Sequence, residues 1–271
     1  MSASDVTVRP PARHARSARR RTGGGFVYGF IGVVGELLIT IGVLLLGFLV
    51  WQLWWTDVEG NAVQAEIVRQ MDYTPPPPAD DGGLRIAEPR RDEPPVLDEP
   101  GHAEQFAQFV TPRWVGEQLR PISQGTDRPT VLDVLGIGHY EGTAMPGGVG
   151  NFALAGHRVT FGKPFNRIEE LQVGDALIVR TEDTWYVYKA TATEVVLPRD
   201  VRVIWPVPNQ EGVEPTERYI TLTTCHPMFS ARERYVVHGV LDYWAPTSDG
   251  VPAELAEMIE SGQLDLSGGG A

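Results

Sequence analysis

A single cysteine, Cys225, closes the run Ile220-Thr221-Leu222-Thr223-Thr224-Cys225, a β-branched stretch that reads as a strand carrying a thiol to its own end. One cysteine cannot form an intramolecular disulfide and is too few for a cysteine metal cage, which leaves core filler or reactive thiol. A free cysteine is most often a small buried hydrophobe. Here, however, His226-Pro227 stops the strand at once, and Arg232 and Arg234 follow within ten residues. Positive charge beside a thiol favours the thiolate, which is the nucleophilic form.

A cysteine nucleophile needs a basic partner from elsewhere in the chain, because neighbours on one strand point to opposite faces. That disfavours His226. Of the other histidines, His14 and His102 fall outside the stretch that can form a core, His139 precedes a Tyr-Glu-Gly turn, and His238 sits inside an apolar strand as a packed core residue would. His157, which follows a short apolar strand and Gly156 and precedes Arg158, ranks first. Between the arginines, Arg232 belongs to a loop, whereas Arg234 opens the last strand, where a ladder would fix it. A preorganised donor is the better stabiliser of an oxyanion, so Arg234 leads.

The elements that must position these groups begin with residues 26–55, thirty residues carrying only one charge, Glu36. About twenty apolar residues suffice to cross a bilayer, so this is read as a transmembrane helix, with Trp51, Trp54 and Trp55 at one interface. Six arginines against one acid, Asp5, precede it, which predicts a cytoplasmic N-terminus and an extracytoplasmic remainder. A cleaved signal peptide is the rival, but its apolar core would be shorter. Glu36 is read as lying near enough the inner end to snorkel or be protonated.

The net charge of −12 conceals an asymmetry: beyond the span there are 17 basic and 33 acidic residues, a charge of −16. Such a surface argues against nucleic acid or anionic lipid as a partner. Five segments are expected: a basic tail (1–25), the span (26–55), a stalk (56–104), a catalytic core (105–245) and a tail that should fray (246–271). In the stalk a short amphipathic helix over 57–72 precedes a proline- and acid-rich spacer that composition predicts to be extended and unfolded. In the core, apolar or alternating runs at 130–137, 151–155, 175–180, 185–196, 218–224 and 234–244 predict strands, with one short helix over 164–171. The fold class is therefore all-β, a sandwich or a closed barrel, with little helix.

The motifs Asn151-Phe152-Ala153-Leu154-Ala155-Gly156-His157-Arg158 and Thr221-Leu222-Thr223-Thr224-Cys225, followed by Arg234 before Tyr235-Val236-Val237, resemble those of the sortases. The flanks, from Gly138 to Gly147 and from Cys225 to Ser230, resemble the class E group of high-GC Gram-positive bacteria. The resemblance covers about residues 105–245 and implies an eight-stranded β-barrel behind a membrane anchor. It implies that Cys225 is the nucleophile, His157 the general acid–base, and Arg234 the group that positions the sorting signal and stabilises the oxyanion. It also implies transpeptidation: a C-terminal LAxTG-like signal cut between Thr and Gly, a thioester, and transfer to a peptidoglycan amine on a lipid II-type acceptor. Tyr140, which would read the signal's alanine, and Thr224 of the cysteine motif are the substrate-binding candidates. No cofactor and no metal are expected. Some class A relatives bind calcium through clustered acids, but Glu169, Glu170 and Asp175 are read as a solvated face. A hydrolytic envelope cysteine peptidase and a non-catalytic envelope-binding barrel are the competing readings.

Overall fold

The computed structural model describes residues 24–266, so most of the expected basic tail and the glycines at 268–270 lie outside the described residues. The chain divides into two compact units, residues 1–50 and 51–271. In the first, the described residues form the apolar half of α1 (Gly24–Gln70), the one helix among the described residues long and apolar enough to cross a membrane. The span expected over 26–55 and the separate helix expected over 57–72 are thus one continuous element. No proline interrupts residues 56–70, so nothing forces a break.

The second unit is built on a closed eight-stranded barrel: β1 (Gln105–Val110), β2 (Arg120–Gln124), β3 (Ile137–His139), β4 (Gly150–Ala155), β5 (Ala176–Arg180), β6 (Thr184–Val196), β7 (Arg218–His226) and β8 (Glu233–Pro246). Around the barrel the order is β1-β2-β3-β4-β7-β8-β6-β5, and β5 pairs with β1 to close it. Two neighbours, β2/β3 and β4/β7, run parallel, and the rest are antiparallel. Closure leaves no free sheet edge to pair with another chain.

Two sets of apolar side chains explain why strands such as β4 and β5 are buried throughout rather than at alternate positions. One fills the barrel, with Phe109, Phe152, Leu154, Phe165, Tyr188 and Leu222 among its members. The other covers part of the outer wall, where Ile178, Trp185 and Tyr243 meet Val68 of α1 and Leu255, Met258 and Leu264 of the C-terminal segment. That segment, which contains the short helix α2 (Ala256–Glu260), was expected to fray. It is ordered because its three apolar residues bury on the barrel wall.

The proline-rich stretch is corrected in the same way. Composition predicts an unfolded spacer, yet Ala87 N donates to Val251 O (2.9 Å), and Arg90 and Trp244 exchange backbone hydrogen bonds (2.8 and 2.9 Å). Further on, Trp244 Nε1 donates to Asp92 O (3.1 Å) and Tyr186 Oη to Pro95 O (2.7 Å). A proline-rich chain is already restricted, so ordering it costs little entropy, and its free carbonyls serve the polar tips of two buried aromatics.

The run at 130–137, expected as a strand, is instead a π-helical turn over Arg128–Leu132 leading into β3. Asp127 caps that turn by accepting from Thr130 N (3.2 Å), and a short apolar run cannot by periodicity alone tell strand from helix. The helix expected over 164–171 shrinks to one 3-10 turn, Ile168–Glu170.

Candidate active site

Parallel strands end on the same side of a sheet, and that fact assembles the site. In the β4/β7 ladder Ala155 lies opposite Thr223. Just beyond, Gly156 N donates to Thr223 O (3.2 Å) and Thr224 Oγ1 to Gly156 O (2.7 Å), so His157, the next residue, emerges beside the end of β7. The chain then returns antiparallel as β8, with Arg234 directly opposite Cys225. Directly opposed residues on an antiparallel ladder share a face, with Cβ atoms about 4.5–5.5 Å apart. Cys225, His157 and Arg234 consequently line one groove of about 700 Å³, together with Tyr140, Thr224 and Phe229.

Each group has a defined surrounding. His157 Nε2 lies 2.6 Å from Asp133 Oδ1. A carboxylate only accepts, so Nε2 carries the hydrogen, which fixes the tautomer and the ring orientation and leaves Nδ1 as the other proton-exchanging nitrogen. The Phe161 ring packs near the imidazole with centroids 5.2 Å apart. Arg234 Nη1 donates to the carbonyls of Ala231 (3.2 Å), in the loop, and Glu233 (2.9 Å), which opens β8, and both hold the guanidinium at the groove. Behind the cysteine, buried Arg158 pairs with Glu169, whose carboxylate also lies 2.9 Å from His226 Nδ1. The hydrogen bond from Arg158, more than any other influence, holds the Glu169 carboxyl below the usual carboxylate range. His226 therefore does not line the groove that Cys225 lines, as strand alternation requires.

A half-buried thiol, an imidazole oriented by a carboxylate and a cation facing one cleft can attack a carbonyl, protonate a leaving amine and stabilise an oxyanion. Comparison with known proteins agrees. The Sortase domain model matches residues 115–242. Sortase SrtE2 of Streptomyces coelicolor is 34% identical over 235 residues, which cover 82% of this chain and 86% of that protein. The chain belongs to the sortase family. Sortase SrtE1 of the same organism is 40% identical over 248 residues, 89% of this chain, and the match spans 65% of SrtE1's length. Among solved structures, SrtA sortase from Actinomyces oris is 45% identical, with a TM-score of 0.58 over 62% of this chain and 96% of that one. The crystal structure of sortase E1 from Streptomyces coelicolor with a tripeptide in the active site is 41% identical, with a TM-score of 0.52 over 56% and 97%. These likenesses are consistent with the class E group.

All five residues singled out in the sequence line the groove of this sortase. Two of them carry out different contacts from those their type suggested. Tyr140 Oη donates to Thr223 Oγ1 (3.0 Å), which itself donates to Leu154 O, so the phenol is anchored to the strand that carries the cysteine. Thr224 is 3% exposed and its hydroxyl is taken by Gly156, so it joins β7 to the chain beyond β4 and offers the groove only its remaining edge. The acids Glu169, Glu170 and Asp175 are each paired with an arginine, respectively Arg158, Arg167 and Arg113.

Asp133, Phe161 and Phe229 were not legible beforehand. Asp133 lies in the run expected as a strand, 24 residues from His157, and no spacing rule links them. The apolar pair Met228-Phe229 in a polar loop was the one available signal, and Phe229 is 77% exposed at the groove.

His139 is elsewhere, fully enclosed, with Nδ1 2.7 Å from Gln124 Oε1 and Nε2 2.9 Å from Thr143 Oγ1. Burial pushes its pKa down to about 4, only partly opposed by Ala144 O, Glu99 and Glu141. His238, 2.9 Å from Glu194 and buried as expected of a core histidine, is shifted down by the same cause. A histidine with a depressed folded-state pKa binds more protons when unfolded, so stability is lost as pH falls from about 6.5 toward 4. For His139 the shift corresponds to about 3 kcal/mol across that window. Urea titrations at pH 7 and pH 4.5 are expected to show this fall, and His139→Gln to flatten it. An unchanged slope in that variant would assign the effect to other groups.

Proposed function

We propose that this sortase is a membrane-anchored transpeptidase that cleaves a C-terminal LAxTG-like sorting signal between Thr and Gly and joins the carrier protein to a peptidoglycan amine. The observation that carries the reading is the single groove in which Cys225 stands opposite Arg234 on one ladder, with His157 emerging from the adjacent parallel strand. His157 holds the proton that Cys225 gives up, the Cys225 thiolate attacks the signal's threonine carbonyl, the tetrahedral oxyanion leans on Arg234, and His157 returns that proton to the glycine amine as the C–N bond breaks. An incoming amine then gives a proton to His157, attacks the thioester carbonyl and expels the thiolate. Tyr140, anchored through Thr223, is assigned to the groove wall that meets the signal's alanine, with Thr224 beneath it. The tripeptide held in the active site of sortase E1 from Streptomyces coelicolor supports a peptide as occupant. The apolar helix supports anchoring through residues 26–55, and the arginines before it support a cytoplasmic N-terminus with an extracytoplasmic barrel.

The full chain incubated with an LAxTG peptide and quenched in acid is expected to show, by mass spectrometry, an acyl adduct on Cys225 lacking the residues from glycine onward. Adding an amine nucleophile is expected to divert product from free acid to amide. Intact peptide and no adduct would remove the proposed mechanism, and adduct without amide would favour a hydrolase.

A further inference from the structure

The C-terminal turns of α1 grip the loop that follows His157. Asp57, Gly60, Asn61, Gln64 and Val68 recur at three- and four-residue spacing and share one helical face. Gly60 lies backbone to backbone against the loop: a Cβ there would sit 2.5 Å from Gly162 N and from Phe161 C. Gln64, 1% exposed, donates from Nε2 to Phe161 O (2.9 Å) and accepts from Arg120 Nη1 (2.8 Å). Asp57 pairs with Lys163 Nζ at 2.8 Å.

The gripped segment is one that would not hold its shape alone. Thr160, Phe161, Gly162 and Lys163 have φ of 65, 52, 74 and 39°, four successive residues in a region that L side chains avoid. Such a conformation persists only where surrounding groups over-determine it. Its second residue is Phe161, whose ring lies against the imidazole of His157. One face of the catalytic ring is thus supported by a residue whose backbone α1 holds, while Asp133 holds its edge.

We propose that Gly60 and Gln64 are positioning residues for His157, so that the helix continuing the apolar span is part of the support of the active site. The inference rests on the sortase reading of His157 as the general acid–base. Removing the support lets the imidazole drift together with Thr160 of the groove wall, and a misplacement of about 1 Å can cost on the order of 100-fold in rate.

The test uses the full chain in detergent micelles with carbon-13 labelled histidine. Gly60→Val and Gln64→Leu are compared with wild type and with Glu59→Val, an exposed neighbour on the same helix. Both test variants are expected to lower kcat at least about 10-fold and to move the Cε1–H resonance of His157, which a change confined to the groove wall would leave in place. That resonance is assigned by its loss in His157→Asn. If Gly60→Val does not fold, Gln64→Leu, which keeps the side-chain volume and loses the hydrogen bond to Phe161 while Arg120 Nη1 keeps Asn61 Oδ1 as acceptor, carries the test. An unmoved His157 resonance, or a kcat no lower than that of Glu59→Val, overturns the inference. If wild type itself forms no thioester, the sortase reading fails, and the resonance alone then decides whether α1 sets the ring.

Discussion

Cys225→Ala is expected to bring turnover of an LAxTG peptide down to the uncatalysed level, a loss on the order of 10⁶-fold if the thiol carries the acyl group. The fold should survive. Cys225 is half-buried at the end of β7, and the ladder that places it runs through backbone groups that alanine retains. The cost of removing one sulfur at such a site is about 1 kcal/mol, within the range of ordinary substitutions. Peptide turnover and thermal unfolding measured on the same preparation separate the two roles. Loss of turnover with an unfolding temperature lowered by no more than about 2–4 °C identifies a nucleophile, whereas full turnover in the variant would return Cys225 to the status of core filler.

Arg234→Ala is expected to lower kcat by about 10²–10³-fold, the usual cost of removing one donor to an oxyanion. The expectation follows from the register: Arg234 is the cross-strand partner of Cys225, so its guanidinium lies on the face where charge develops next to Sγ. Its Nη1 is already held by two backbone carbonyls, which reduces the reorganisation needed when the oxyanion forms. Arg234→Lys keeps the charge but loses the planar fork, and is expected to recover only part of the rate. Steady-state kinetics decide the role. A fall in kcat with KM little changed marks oxyanion stabilisation, while a rise in KM at constant kcat would make Arg234 a group that only holds the signal.

Much of the site is legible in the sequence, because its members are rare or occupy special places in local pattern. The lone cysteine at the end of a β-branched run, the histidine after an apolar strand and a glycine, and the arginine opening the last strand all carry local signatures. Asp133 and Phe161 do not. Asp133 reaches His157 only because the π-helical turn at Arg128–Leu132 bends the chain back toward the end of β4, and Phe161 reaches it through a left-handed loop that α1 holds in place. Composition likewise reads the stretch around residues 84–100 as rich in proline and charge and poor in aromatics. It did not show that Trp244 and Tyr186 need the carbonyls of that stretch as hydrogen-bond acceptors.

The sequence by itself determined a lone thiol at a strand end, a helix able to cross a membrane, and a β-rich core, since each follows from residue type and short-range period. The tertiary structure alone decided which strands are neighbours. That β4 pairs with β7, and in parallel, is a contact between segments about 70 residues apart, and nothing in the alternation of either strand encodes partner or direction. Yet that one pairing carries His157 to the edge where Cys225 ends, and the return of β8 along β7 completes the site with Arg234.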